Sequence, residues 1–243
     1  MMKTLTTFAL CFFILSSAVA QIGSSGNGAL KNRNDNEEIM NEFFKGVRRN
    51  SDAIDAYDGT PYLYKEFKRG VLQFPDHEPL AAQIRYDVAK EEMQIKFDEE
   101  SFRVLHDGIP VQIEGDLYKK FTYRGEEKHI DLLGYFRVIT PEAGKGDLLL
   151  LEKPYKKVKR GKAAAAMQKA KPPRYVDKSD FYLRLPDSNL AVKADKKLKN
   201  FLKVFPADEQ DALKSFIKEN KLKPKKEEDL KQIVQYYNTA INV

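Results

Sequence analysis

The sequence contains a single cysteine, Cys11, which lies in an apolar stretch near the N-terminus. Residues 21–243 therefore contain no disulfide, no thiol nucleophile and no thiolate metal ligand. No cysteine follows the small residues at 18–20, so the sequence also lacks the attachment site of a lipoprotein. A domain of about 220 residues can instead be stabilised by one hydrophobic core. For an exported protein, this absence of disulfides favours a bacterial envelope over an animal extracellular space.

Long hydrophobic runs are also missing. No stretch approaches the eighteen apolar residues, roughly, that a membrane-spanning helix requires. The N-terminus instead combines a positive Lys3, a short apolar region over Leu10–Leu15 and a small-x-small motif over Ala18–Ala20. This combination is typical of a signal peptide, so we expect residues 1–20 to be removed between Ala20 and Gln21. The mature chain is then exported, and is periplasmic, outer-membrane-associated or secreted, with no transmembrane segment.

Motifs for catalysis and metal binding are absent as well. The three histidines, His77, His106 and His129, have no neighbour at a metal-site spacing such as His-x-x-x-His. No Gly-x-Ser-x-Gly is present, and Gly144–Asp147 lacks the flanking residues of a phosphate-binding loop. We therefore predict no catalytic, cofactor-binding or metal-binding residue.

Paired acids are a weaker indication of chemistry. Asp87, Glu91 and Glu92 lie close in sequence and could flank a substrate, as the carboxylates of glycosidases do. Acidic residues are common throughout this chain, however, and exposed charge is the default explanation for these three. A hydrolase is therefore the third-ranked hypothesis.

Charge is distributed unevenly along the chain. Residues 21–152 carry 18 basic and 25 acidic side chains, whereas residues 153–226 carry 22 basic and 8 acidic ones. The last seventeen residues are again acidic, with one lysine against three acids. The mature chain is thus electrically bipolar in sequence, which favours anionic partners for its second half.

The sharpest feature of the sequence is a basic run from 153 to 174. It contains nine cations and no acid, and two tyrosines, Tyr155 and Tyr175, accompany it. Such a run is typical of a site for an anionic surface or polymer: lipopolysaccharide, acidic polysaccharide, extracellular DNA or an anionic membrane. The alternative is a solvated, mobile inter-strand loop. Lysines outnumber arginines by seven to two, which disfavours specific nucleic-acid binding. The candidate residues are Lys153, Lys156, Lys157, Lys159, Arg160, Lys162, Lys169, Lys171 and Arg174.

Residues 21–60 are predicted to be a flexible N-terminal arm. The segment 21–36 is rich in Gly, Ser and Asn. A short helix is predicted over 37–45, because its acids come early, its bases come late, and Ile39, Phe43 and Val47 recur at helical spacing. Residues 50–60 are predicted to be a loop.

Apolar and polar residues alternate from 61 to 193, as in strands with one buried face. Ile84, Tyr86 and Val88 give one example, and short turns recur throughout this region. The pattern predicts an antiparallel β-meander that forms a curved sheet or half-barrel. The predicted strands lie near 84–88, 93–97, 109–113, 120–123, 130–139, 148–151, 181–185 and 190–192.

The pattern changes to helical spacing over 194–243. The last helix is predicted to begin with three acids and to bury Leu230, Ile233, Val234 and Tyr237 on one face. We expect these helices to pack on the sheet, so the predicted fold class is α+β: an antiparallel β-meander with a C-terminal helical segment.

Several segments resemble a family of exported proteins of about this length from Bacteroidota. The similar segments are Gly59–Leu63, Ile84–Asp87, Leu133–Phe136, Asp180–Leu183 and the ending from Lys221 to Asn238. The family has no assigned activity, so the resemblance implies an envelope location and no reaction. It also implies that Tyr86 and Tyr135 face the core.

Two functions are consistent with these observations. The first is a non-catalytic envelope protein that acts as a binding or scaffolding module, with the basic run as the site for an anionic polymer, a lipid surface or another envelope protein. The alternative is a periplasmic carrier that holds an apolar ligand in a half-barrel. A carrier requires an apolar cavity of several hundred Å³, the usual size of a ligand pocket, roughly.

Overall fold

The computed structural model describes residues 42–49, 57–125, 130–140, 146–163, 169–186 and 188–241. The predicted signal peptide, the arm at 21–36 and most of the helix predicted over 37–45 lie outside these residues. Phe44 and Lys45 lie inside them and begin a strand, so the helix prediction is wrong at these two positions. Phe44 pairs with Leu105 of a distant strand, and local residue spacing does not reveal such a partner.

The described residues form eleven strands of one sheet and a small C-terminal helical segment. The predicted α+β class, with an antiparallel meander and C-terminal helices, is confirmed. Ten of its strand pairings are antiparallel and one is parallel. The strands are β1 (Phe44–Arg49), β2 (Lys68–Leu72), β3 (Leu80–Asp87), β4 (Glu92–Lys96), β5 (Ser101–Leu105), β6 (Val111–Ile113), β7 (Asp116–Arg124), β8 (Asp131–Val138), β9 (Leu149–Lys159), β10 (Arg174–Arg184) and β11 (Leu190–Lys193).

Strands β7 to β11 close into a five-stranded barrel. Each strand pairs antiparallel with the next, and β11 then returns to pair in parallel with β7 at Thr122 and Tyr123. The curved sheet predicted from the sequence is therefore fully closed in this region. Aromatic and aliphatic side chains fill the inside of the barrel: Phe121, Tyr123, Phe136, Leu149, Leu151, Tyr182 and Ala191.

Strands β1 to β6 form a curled sheet in the order β1-β5-β4-β3-β2-β6. It continues into the barrel because β6 pairs with the first residues of β7. The sheet curls on itself, since Phe43 beside β1 stacks on Phe74 beyond β2 at 4.6 Å between ring centroids. Tyr86 and Tyr135 are buried in this core, as the resemblance implies.

The helices are α1 (Leu198–Leu202), α2 (Gln210–Glu219) and α3 (Glu227–Tyr236), and α3 continues as a π-helical turn over Tyr237–Ile241. They cover the face of β9 opposite to the barrel interior, where Leu148 and Leu150 join Phe201 and Ile233 in one buried cluster. Among the described residues, no helix is long and apolar enough to cross a membrane.

Candidate functional site

Strands β9 and β10 extend the barrel as a two-stranded ribbon. The two strands pair over their full length, from Leu149 with Arg184 to Lys159 with Arg174. Strand β8, in contrast, pairs with β9 only at Leu151 and Glu152. The ends of β9 and β10 that lie beyond the barrel are called the basic ribbon below. They are Tyr155–Lys159 and Arg174–Lys178.

Strand alternation and register place four cations on one face of the basic ribbon. Side chains on one strand alternate between faces, and residues directly opposite each other share a face. Lys157 and Lys159 therefore share a face with Lys178 and Arg174, and all four are exposed. Successive cations on one strand are roughly 7 Å apart.

Two further residues, one aromatic and one acidic, lie next to these cations. Tyr155 lies opposite Lys178 and is 37% exposed, so it adds an aromatic surface. Asp58 lies beside Arg174, where its backbone N–H donates to the carbonyl of Pro173 at 2.9 Å and its own carbonyl accepts from the N–H of Tyr175 at 2.9 Å. No ion pair joins the four cations to another residue that the structure describes.

Lys153 does not belong to this surface, which corrects the sequence-based site. It shares a face of β9 with Leu149 and Leu151, so its side chain enters the barrel mouth and is only 4% exposed as a residue. Its Nζ lies 5.4 Å from the ring centroids of both Tyr123 and Phe136. Burial lowers the pKa of this lysine, and the neighbouring carboxylate of Glu91 opposes that effect.

Glu91 reaches Lys153 from the turn between β3 and β4. Its Oε1 accepts a hydrogen bond from the Lys153 ammonium, and its Oε2 accepts from the Tyr86 hydroxyl at 2.7 Å and from the Tyr135 backbone N–H at 3.0 Å. Glu91 itself has a left-handed backbone with φ 56°. A Cβ at Gly134 would lie 2.9 Å from the Lys153 Nζ and 3.1 Å from the Glu91 Oε2, so a larger residue there would have to displace this pair.

Lys156, another residue of the predicted site, is not part of the exposed cationic face either. Its ammonium donates a hydrogen bond to Asp177, its neighbour across the ribbon, and only 5% of its side chain is exposed. The opposite face of the ribbon is therefore nearly neutral. The sequence placed Lys156 in a run without acids because Asp177 lies just beyond that run.

The other predicted cations flank the ribbon. Arg160, Lys162, Lys169 and Lys171 are exposed, and Lys162 and Lys171 are joined by two backbone hydrogen bonds of 2.8 and 2.9 Å. Residues 164–168, within the predicted basic run, lie outside the described residues. The alternative prediction of one inter-strand loop is wrong over Lys153–Lys159, because these residues belong to β9.

A charged cleft beside the ribbon was not found from the sequence. It has a volume of about 290 Å³, and Arg137 of β8 is among the residues that line it. The Arg137 guanidinium donates to Glu152 at 2.6 Å and to Glu227 of α3 at 2.8 Å. Burial lowers the pKa of Arg137, but these carboxylates outweigh burial and raise that pKa above its ordinary value. The cleft lining comprises Leu63, Tyr118, Arg137, Glu152, Pro154, Asp177, Lys178 and Ser179.

The acids that could have formed a glycosidase-like pair have separate partners. Asp87 accepts hydrogen bonds from the backbone N–H groups of Ala89 and Lys90, both at 3.1 Å, and Glu92 pairs with Arg48 at 3.1 Å. Glu91 is held by the buried lysine. The three carboxylates therefore serve a turn, a surface pair and the barrel mouth, respectively.

The described residues hold no group of three His, Cys, Asp or Glu side chains that could bind a metal ion. The ring of His77 packs edge-on against Phe43 at 5.7 Å. His129 lies outside the described residues.

No protein-family model, no curated protein and no solved structure matches this chain.

Proposed function

We propose that this chain is a non-catalytic exported envelope protein that binds anionic polymers or surfaces through the basic ribbon. The observation that carries the proposal is the cationic face formed by Lys157, Lys159, Lys178 and Arg174. Strand pairing holds these cations at fixed spacing, so binding does not have to order a loop first. The predicted signal peptide and the resemblance to exported proteins support an envelope location.

The expected interaction is electrostatic. Each lysine near an anionic membrane contributes about 1 kcal/mol, so four cations give a modest affinity. Attraction between exposed charges is screened when the Debye length falls from about 10 Å at 0.1 M salt to about 3 Å at 1 M. We therefore expect binding that is strong only at low ionic strength.

The packing around the helices favours this proposal over a carrier. Phe201, Leu213 and Ile233 are fully buried against the barrel, so side chains occupy the place where a carrier would hold its ligand. The cleft at Arg137 is open to solvent and is lined by charged as well as apolar side chains, whereas a carrier encloses its ligand in an apolar pocket.

The test compares two variants of equal charge. In the ribbon variant, the four cations of the cationic face become glutamine: Lys157, Lys159, Lys178 and Arg174. In the matched control, four exposed lysines of the helical segment become glutamine: Lys199, Lys203, Lys218 and Lys225. Co-sedimentation is measured with anionic vesicles, neutral vesicles and an acidic polysaccharide, at low and high salt.

We expect the native protein and the control to bind the anionic targets at low salt and the ribbon variant to lose most of that binding. Equal losses in both variants would show that net charge, and not the ribbon, determines binding. No binding by the native protein at low salt would contradict the proposed function.

A further inference from the structure

Among the residues that the structure describes, one edge of β9 has no strand partner beyond the barrel. The carbonyl of Leu150 accepts from the Ile139 N–H at 2.9 Å, so the even-numbered residues of β9 direct their backbone groups towards β8. Pairing with β8 ends at Glu152. The backbone groups of Pro154, Lys156 and Val158 therefore face the same side, where no described strand pairs with them.

The buried pair of Glu91 and Lys153 marks the point where β8 and β9 separate. The Glu91 carboxylate accepts the Tyr135 N–H of β8, and it also receives the Lys153 ammonium of β9. A side chain thus replaces strand pairing at this position. Beyond it, the edge offers the carbonyls of Pro154, Lys156 and Val158 and the N–H groups of Lys156 and Val158.

An open strand edge is a template for pairing with another strand. Proline and lysine on such an edge discourage pairing with neutral strands, and β9 carries both. A second copy of β9 is disfavoured, because its lysines would lie opposite those of the first. The same charges favour a partner strand that carries acids.

We propose that the open edge of β9 binds an extended acidic polypeptide as an added strand. This inference rests on the proposed function and names its partner class at the same site. A polypeptide is favoured over a polysaccharide because it presents N–H and C=O groups at the spacing of the edge. Strand addition would extend the ribbon to three strands.

The side chains of the added strand must alternate. Those on the cationic face lie next to Tyr155, Lys157 and Lys159, so acids are expected there. Those on the other face lie next to Val158, which is 46% exposed, and to the neutral pair of Lys156 and Asp177. The expected partner sequence therefore alternates an acid with an uncharged, β-branched residue.

The experiment uses two short peptides of identical composition, one in which Glu and Thr alternate and one in which the Glu residues are contiguous. Both are titrated against the full chain and two variants. Val158→Pro removes an edge N–H without changing charge, and Pro154 already occupies an equivalent position in the same strand. Val158→Thr is the matched control, because it keeps the N–H and a β-branched side chain.

We expect the native protein and Val158→Thr to bind the alternating peptide at least tenfold more tightly than the contiguous one. Val158→Pro should lose this preference and retain its co-sedimentation with anionic vesicles. In the native protein, hydrogen exchange at the Lys156 and Val158 amides should slow when the alternating peptide binds, and this measurement does not depend on the folding of a variant.

Equal affinity for the two peptides, or unchanged amide exchange in the complex, would overturn the added-strand inference. Either result leaves the proposed function standing if the ribbon variant with four glutamines still loses its binding to anionic vesicles. If the native protein binds neither peptide nor vesicle, both proposals are contradicted.

Discussion

Lys153 and Glu91 form a charged pair at the residue scale that joins the curled sheet to the barrel. Both oxygens of the Glu91 carboxylate accept hydrogen bonds. Lys153 donates to Oε1, whereas the Tyr86 hydroxyl and the Tyr135 backbone N–H donate to Oε2. Burial and the adjacent Glu91 both raise the pKa of Tyr86, so this tyrosine stays protonated and donates its hydrogen bond. The pair therefore connects β3, β8 and β9 through side chains and one backbone N–H.

The first prediction at this scale is that Lys153→Met destabilises the protein by about 3 kcal/mol, because breaking a buried pair leaves an uncompensated charge. The double variant with Glu91→Gln should recover a large part of this loss, since no isolated charge then remains. Urea unfolding of the native protein, both single variants and the double variant measures the coupling.

Lys157→Met provides the control, because Lys157 lies on the same strand and is exposed. Its effect should stay within about 0.5 kcal/mol, as for most surface substitutions. Additive effects of Lys153→Met and Glu91→Gln would contradict the buried pair.

The role of Lys153 was not predictable from the sequence. It belongs to a run of nine cations and looks like the others, and its partner lies 62 residues away. The alternation that continues from Leu149 and Leu151 to position 153 was the available signal. That signal indicates which face Lys153 occupies, but it does not reveal that β9 borders a barrel interior.

At the scale of elements, α3 is an integral part of the core. Leu230, Ile233, Val234 and Tyr237 are each at most 2% exposed, as the helical spacing predicted. The start of α3 is also tied to the barrel, because Glu227 accepts a hydrogen bond from Arg137 of β8. The C-terminal segment is thus held both by apolar packing and by an ion pair.

We predict that Ile233→Asp destabilises the protein by several kcal/mol. The loss of burial costs about 1.5–3 kcal/mol, and burying an unpaired carboxylate adds to this. Thermal unfolding checks the prediction, with Gln232→Asp as the control on the exposed face of the same helix. A melting temperature that stays unchanged in Ile233→Asp would show that the helix does not contribute to the cooperative core.

Strands with alternating residues were predictable, whereas strands defined by distant partners were not. Strands β3 and β4 lie where period-two alternation placed them, and β8 lies at the apolar run over 130–139. Strand β9 was predicted only over 148–151, because its continuation to Lys159 is charged on both faces. Strand β1 begins within a segment with helical spacing, and its pairing with β5 outweighs that local preference.

At the scale of the whole molecule, barrel closure depends on one parallel contact. Leu190 and Ala191 of β11 pair with Thr122 and Tyr123 of β7, some way back along the chain. The local pattern of residues does not indicate this contact. The sequence therefore predicts a curved sheet or a half-barrel and does not predict that the barrel closes. Closure pairs the edges of β7 and β11 with each other. Beyond Glu152, in contrast, β9 has an edge with no strand partner among the described residues.

At the scale of the whole molecule, the partner of the basic region depends on the compartment that the protein reaches. Residues 153–226, which form the ribbon, the last barrel strands and the first two helices, carry 22 basic and 8 acidic side chains. Such a region would attract anionic material in any compartment, so the partner of the proposed site depends on where the protein is delivered. The proposed function therefore requires export as well as the ribbon.

The last prediction is that the mature protein starts at Gln21. Lys3, the apolar Leu10–Leu15 and the small residues before Gln21 together match the three regions expected of a signal peptide. N-terminal sequencing of the protein recovered from the envelope or medium of a bacterial host should return Gln21. Ala20→Leu, which places a large residue at the cleavage site, should yield a longer, unprocessed chain that stays with the membrane fraction. Recovery of native protein that begins at Met1 would contradict export by this route, and a ribbon confined to the cytoplasm would then meet different anionic partners.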